Sequence, residues 1–410
     1  MQCQKSFIIR TKPTMPSLRC PGISSSTTLS MNSLRARPAF VSSYTPSCLS
    51  SQLRPLHLST VGTASRITSR QVRKESTNQS HPFQTRNLSS TNYLRPLGNP
   101  RTTSGRALFA TAVTMADQPT IHDVFESKTG TWQYVVADPN TSRAAIIDPV
   151  LDFDPATQAL TTGSADTLLS LVSDKGYKVD LILETHAHAD HLTAGSYLQS
   201  RLSQMQGYKP PIGIGKRIGN IQDLFSKKYG IPSDEVEGVF ERLFDDDETF
   251  EIGTLSAKAI HLPGHTPDHL GYMIGDNVFC GDSLFHADIG TARCDFPGGD
   301  ASALYKSGRK LLSLPDHVKI WTGHDYPPQG REPMPFMTVE EHKRENKHLR
   351  DGISEQDFVT MRNERDEKLS APRLMHPSLQ MNIRSGRLPK PTSSGQQLLH
   401  LPLKLQDAQW

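Results

Sequence analysis

The sequence predicts an α/β fold of stacked layers, on three observations. From about Ile121 onward, short apolar runs alternate with segments of helical period. These mixed elements follow one another within about 275 residues, the span of one large domain. Several of the apolar runs end directly in His or Asp, as strands do when they deliver functional loops to one edge of a sheet.

The elements follow in order. "WQYVVAD" (132–138) and "RAAIIDPV" (143–150) read as paired strands around the turn "PNTS". "ADTLLSLVSDKG" (165–176) has apolar residues at helical spacing and ends in a glycine suited to a left-handed cap. "VDLILET" (179–185) is a buried strand, and "HLTAGSYLQSRLSQ" (191–204) a helix. Further strands are expected at 210–215, 255–262, 270–276, 277–282 and 318–324, with helices at 216–230 and 302–314. Two charged helices close the body. One opens on Thr338 with Glu341 at capping-box spacing, the other on Ser354 with Asp357.

Charge divides the chain. Residues 1–115 carry 15 Lys and Arg against one acid, Glu75, a net +14, while the remainder holds 30 basic and 41 acidic residues. The first segment is rich in Ser, Thr, Arg and Pro and shows no sustained apolar period, so it cannot bury enough surface to offset its chain entropy. Its composition is that of a mitochondrial presequence, favoured over a basic arm that touches nucleic acid or anionic lipid. The expected location is therefore the mitochondrial matrix, and Met115 offers an alternative start. The expected organisation is a presequence at 1–115, a catalytic domain with C-terminal helices at 116–390 and a tail at 391–410. No run of 18 apolar residues predicts a membrane span. In the body only Cys280 and Cys294 remain, too few for a disulfide framework.

The stretch "THAHADH" (185–191) places His186, His188, Asp190 and His191 directly after a buried strand. His265 in "PGHTPDH", Asp282 in "CGDS" and His324 in "TGHDY" each follow or end another strand. Loops from one sheet edge can bring all seven to a point. On an extended turn His186 and His188 point the same way, while Asp190 and His191 face a second position. One loop can thus serve two adjacent cations, or one cation and the groups around it. Imidazole with carboxylate suits iron or zinc. Without a metal these side chains would be buried polar groups lacking partners, at roughly 1–3 kcal/mol each. His122, His269 and His317 read as ordinary histidines, and His342 and His348 as solvated ones on charged helical faces.

"THAHADH", "PGHTPDH", "GDSLF" and "TGHDY" resemble, in order and spacing, the metallo-β-lactamase superfamily, over about residues 121–390. The resemblance implies an αββα sandwich of two mixed sheets flanked by helices. "GTARCDFPGGD" (290–300), "HDYPPQGREP" (324–333) and the tail 351–389 look like its persulfide dioxygenase branch. That branch implies oxidation of glutathione persulfide by O2 to sulfite and glutathione, as in mitochondrial sulfide oxidation. One Fe(II) would be held by His186, His265 and Asp282, with His188, Asp190, His191 and His324 around it as orienting and proton-handling catalytic groups. Two histidines and one carboxylate leave positions open on iron for both reactants.

Arg293, 11 residues after Asp282, is the expected grip on a glutathione carboxylate, and Tyr326 a partner for the peptide part. Cys294 is given no role, and Cys280 reads as packing. The rival enzyme is a two-zinc thioester hydrolase resembling glyoxalase II, for which every ligand is also present. A metal-stabilised scaffold without turnover is the other rival. Neither a nucleic acid partner nor a membrane span is expected, and a homodimer is left open.

Overall fold

The computed structural model describes residues 118–405. The basic segment with its targeting reading and the Met115 start lies outside these residues, as do the last five residues of the tail. Among the described residues no helix is long and apolar enough to cross a membrane.

Two six-stranded sheets form the centre. The first runs in the order β1 (Thr120–Glu126), β2 (Thr131–Ala137), β3 (Arg143–Ile147), β6 (Lys178–Leu183), β8 (Ile212–Gly215) and β9 (Arg242–Phe244). β1, β2 and β3 pair antiparallel, and from β3 to β9 the pairing is parallel. The second sheet runs in sequence order from β10 (Thr249–Ile252) through β11 (Leu255–His261), β12 (Leu270–Ile274), β13 (Asn277–Phe279) and β14 (Lys319–Trp321) to β15 (Phe336–Thr338). Only β13 and β14 pair parallel there. A small sheet joins β4 (Val150–Asp154), β5 (Ala159–Thr161) and β7 (Leu192–Thr193).

Period-two alternation divides the side chains between layers. Val135, Ala137, Ala144 and Ile146 face the helices α1 (Gly163–Lys175), α2 (Gly195–Gln206) and α3 (Ile218–Tyr229). Their neighbours Tyr134, Val136, Ala145 and Ile147 face the other sheet and pack with Ala257, Ala259, Tyr272 and Trp321. The outer face of the second sheet is covered by α4 (Ala301–Leu312), α5 (Val339–Glu345) and α6 (Glu355–Asp366). The layers are therefore αββα. A last helix, α7 (Met375–Asn382), returns to the first layer and contributes Leu379 and Met381 to its core.

The expected strands are present, most of them shorter than their apolar runs, because the ends turn into loops. Gly176 caps α1 in the left-handed conformation, and the Thr338–Glu341 capping box closes both ways. Two elements differ. The run 143–150 breaks at Asp148, whose φ of +49° turns the chain, and Val150 starts a new strand. The helix expected from 191 begins at Gly195, since Leu192 and Thr193 pair with β4 instead. His342 and His348 are buried, not solvated. Their Nδ1 atoms accept from Asn346 and from Thr291, so hydrogen bonds inside the domain replace water.

Candidate metal centre

The metal-competent loops leave the ends of β6, β11, β13 and β14, so both sheets contribute at one edge. β6 is buried at Val179, Ile182 and Leu183, as suits a parallel central strand. The chain beyond it is held by backbone hydrogen bonds from several directions. Asp148 accepts from the Thr185 N–H (2.7 Å), and Asp268 accepts from the Ala187 N–H (3.0 Å). Asn382 donates to the carbonyls of His188 and His191 and accepts from the Thr193 N–H, each at 2.8 Å. The second-sheet loops approach equally closely. A Cβ on Gly323 would stand 2.6 Å from Asp282 Oδ1, and Gly281, at φ +46°, has Thr185 Oγ1 at the same distance from its Cβ position. Larger residues there would push the strand ends apart.

All seven expected residues come together. His186, His265 and Asp282 offer one ligand atom each within 4.8 Å, and so do Asp190, Asp282 and His324, and His188, Asp190 and His191. Asp282 lies between the first two sets: His265 Nε2 is 3.6 Å from one of its oxygens and His324 Nε2 3.5 Å from the other. His186 Nε2, His188 Nδ1, His191 Nε2 and Asp282 Oδ1 are buried without a hydrogen-bond partner. Four such atoms at one point are costly unless a cation meets them. Neutral imidazole and carboxylate are also the donors that iron and zinc accept, so the residues fit a metal centre.

The remaining ring nitrogens are oriented from behind. His188 Nε2 lies between the buried carboxylates of Asp148 (3.1 Å) and Glu184 (3.3 Å). Burial lowers the pKa of this ring, but the two carboxylates outweigh it and hold the pKa well above its usual value. The orphaned Nδ1 of His188 is thus the atom left for a metal. His265 Nδ1 donates to the Arg293 carbonyl (2.7 Å). His186 is held well below its usual pKa by burial, reinforced by the rings of His188, His269 and His265. Asp190 is pulled well below the usual carboxylate range, because His324 and His191 outweigh the opposing effect of burial. These partners fix which atom of each ligand faces the centre.

A cavity of about 340 Å³ opens over Asp190, His265 and Asp282, walled by Phe285, Tyr326 and several arginines. Arg293 lines it, but its guanidinium is already engaged by Asp295 and by the Ser370 carbonyl. Tyr326 is half-exposed at the mouth, its ring stacked on His324. Cys280 and Cys294 are buried thiols, their pKa pushed by burial up to about 12 for Cys280 and above that for Cys294.

Sequence reasoning did not single out Asp148, Glu184, Asp268 or Asn382, and it treated His269 as ordinary. His269 is buried against His186, and its Nε2 accepts from the Asp282 N–H (2.9 Å). The "PDH" that follows His265 was a usable signal for Asp268 and His269, as was the Asp ending "AAIID" for Asp148. Asn382 lies about 190 residues from the loop it holds and carried none.

Two mixed sheets between helices, with a His- and Asp-rich centre at their shared edge, define a metalloenzyme scaffold. Residues 128–324 match the family model described as the metallo-beta-lactamase superfamily. A probable metallo-hydrolase of Burkholderia pseudomallei is 43% identical over 69% of this chain and 99% of its own length. Glyoxylase B2 of Dictyostelium discoideum is 39% identical over 70% of this chain and 98% of its own. The mitochondrial persulfide dioxygenase ETHE1 of Bos taurus is 28% identical over 62% and 82%. The crystal structure of ETHE1 from Myxococcus xanthus superposes with a TM-score of 0.52 at 27% identity, over 65% of this chain and all of that one. The chain belongs to the metallo-β-lactamase superfamily.

Proposed function

We propose that this protein is a metal-dependent enzyme acting on a thiol derivative of glutathione, and that it works as a two-metal thioester hydrolase of the glyoxalase II type. The observation that carries this reading is that unpartnered buried ring nitrogens occur in more than one of the ligand sets: His186, of the set with His265 and Asp282, and His188 and His191, of the set with Asp190. His186, His188, His265 and Asp282 would hold one ion, and Asp190, His191, His324 and Asp282 the second. Bound there, two zinc ions would supply an activated hydroxide and polarise the thioester carbonyl. Asp282 then spaces the two positions. Asp148 and Glu184 keep the His188 ring turned, and the Arg293 carbonyl does the same for His265. The metallo-hydrolase and glyoxylase relatives support this reading.

A second reading has its own support. With one Fe(II) on His186, His265 and Asp282, the other four residues would surround the metal and the enzyme would be a persulfide dioxygenase using O2. The segment "GTARCDF" lines the cavity through Thr291, Ala292 and Arg293, and the ETHE1 crystal structure is matched over its full length. In this reading the basic segment would carry the enzyme to mitochondria.

Metal analysis of protein purified without oxygen separates the two, together with two assays. Two zinc ions per chain and cleavage of a glutathione thioester support the hydrolase. One iron per chain, with oxygen uptake and sulfite release from glutathione persulfide, defeats it in favour of the dioxygenase. Metal without either activity defeats both.

A further inference from the structure

Neither functional reading uses the turn between β1 and β2, yet that turn lies against the metal centre. Its last residue, Gly130, sits at φ +71°, and a Cβ there would stand 2.7 Å from the Tyr326 ring and 2.9 Å from the Asp325 carbonyl oxygen. Bare backbone therefore seats on the loop that carries His324. The Asp325 N–H donates to the Gly130 carbonyl (3.0 Å) and the Trp132 N–H to the Gly323 carbonyl (2.9 Å), so the turn is pinned on both sides of that histidine.

Three side chains of the turn and its flanks form a line. Glu126 is buried and accepts from the N–H groups of Lys128 (2.7 Å) and Thr129 (2.9 Å) and from the Thr129 hydroxyl (2.6 Å). The Thr129 hydroxyl lies 2.7 Å from that of Thr131, which is fully buried. Thr131 Oγ1 in turn lies 3.3 Å from His324 Nδ1 and 3.5 Å from His191 Nδ1.

A hydroxyl has one proton to give. Both Glu126 oxygens already accept from N–H groups, so Thr129 gives its proton to Glu126. The Thr129 oxygen then accepts from Thr131, and the Thr131 oxygen is left to accept from the two rings. The direction of the line is thus set from its outer end. The other partners of the two Nδ1 atoms agree, since each is an acceptor: the Gly130 carbonyl (3.3 Å) for His324 and the Asp190 carboxylate (3.1 Å) for His191. With a proton on Nδ1, a neutral ring keeps Nε2 bare, and Nε2 of His191 is buried without a partner.

We propose that Thr131 is a positioning residue for His191 and His324, and that the line Glu126–Thr129–Thr131 fixes both rings with Nε2 free for the second metal ion. This rests on the two-metal reading and not on the reaction that follows. The first position has its own supports in Asp148, Glu184 and the Arg293 carbonyl, so the two positions should respond separately.

The test is a zinc titration of the metal-stripped full-length protein against a competing chromophoric chelator. The parent should take up two zinc ions in resolvable steps. Thr131→Val keeps the side-chain shape but loses the hydroxyl, and should weaken one step about tenfold while leaving the other near the parent level. Thr131→Ser should restore it. Thr129→Val touches neither ring, yet should weaken the same step, and should add nothing further in the Thr131→Val background, as expected for members of one line. In nitrogen-15 spectra of the zinc-loaded protein, the Nδ1–H protons of His191 and His324 should exchange with solvent faster in Thr131→Val. The inference is overturned by parent affinity at both steps in Thr131→Val, by an equal loss in Thr131→Ser, or by full additivity of the two Val substitutions. Should Thr131→Val not fold, Thr129→Val decides on the same step. A parent that takes up only one zinc defeats the two-metal reading and this inference together, whereas two zincs with an unaffected second step defeat the inference alone.

Discussion

Asn382 offers the sharpest test of how the metal loop is held. It is buried at the end of α7 and makes three hydrogen bonds of 2.8 Å: two amide donations, to the His188 and His191 carbonyls, and one acceptance from the Thr193 N–H. Asn382→Ala leaves all three backbone groups without that partner. At roughly 1–3 kcal/mol per orphaned buried group the dry limit is about 3–9 kcal/mol. A water entering the vacated space would restore part of this, so the expected loss is about 3 kcal/mol. Asn382→Asp should be worse than Ala, because it sets a carboxylate oxygen against two carbonyl oxygens. The loop carries four of the seven metal-competent side chains, so metal affinity should also fall, by about 10–100-fold, as when other supporting groups are removed. Urea unfolding of the metal-free protein gives the first quantity, and a chelator competition the second. A stability loss below about 1 kcal/mol with parent metal affinity would refute the reasoning. It would mean that Asp148 and Asp268 hold the loop without help from α7.

Other consequences are open to measurement. Burial, helped by His286, holds His342 at a pKa of about 4, so the unfolded chain takes up its proton first as pH falls. Stability should therefore be undiminished above about pH 6.5 and fall toward pH 4 by roughly 3 kcal/mol from this group. Unfolding free energies at pH 7 and 4.5 should show a smaller difference in His342→Gln. His191→Ala should cost one metal equivalent in the two-metal reading, whereas unchanged metal content with a reduced rate would favour the single-iron reading. Asp282→Asn removes the shared anion and should empty the site in both, as atomic emission would show. Arg293→Ala frees Asp295 and Ser370 but keeps the carbonyl that orients His265, so metal content should persist while the thermal midpoint falls by a few degrees.

The layers and the gathering of seven metal-competent side chains were legible because both are local patterns. Strands such as 179–185 announce themselves by apolar runs, and a histidine cluster directly after one points to an edge. What stayed hidden depends on distant partners. The charged context of His342 and His348 suggested solvent, yet α5 and its following turn press both rings inward. The strand at Val150–Asp154 was lost because only Asp148, in a left-handed conformation, and Pro149 separate it from β3. Arg293 carries no sign of its partners in the sequence, and only the fold shows that Asp295 and the Ser370 carbonyl engage its guanidinium.

The link between α7 and the histidine loop also orders events during synthesis. Chains emerge from the ribosome N-terminal end first. His186 to His191 are exposed to the cell long before Asp282 and His324, and Asn382 follows later still. The nascent loop therefore presents its imidazoles while the backbone that shapes them is unfinished. The loop reaches its final shape only in the released chain, and a truncation before residue 382 would leave every metal-competent side chain in place but remove the partner of the His188 and His191 carbonyls and of the Thr193 N–H.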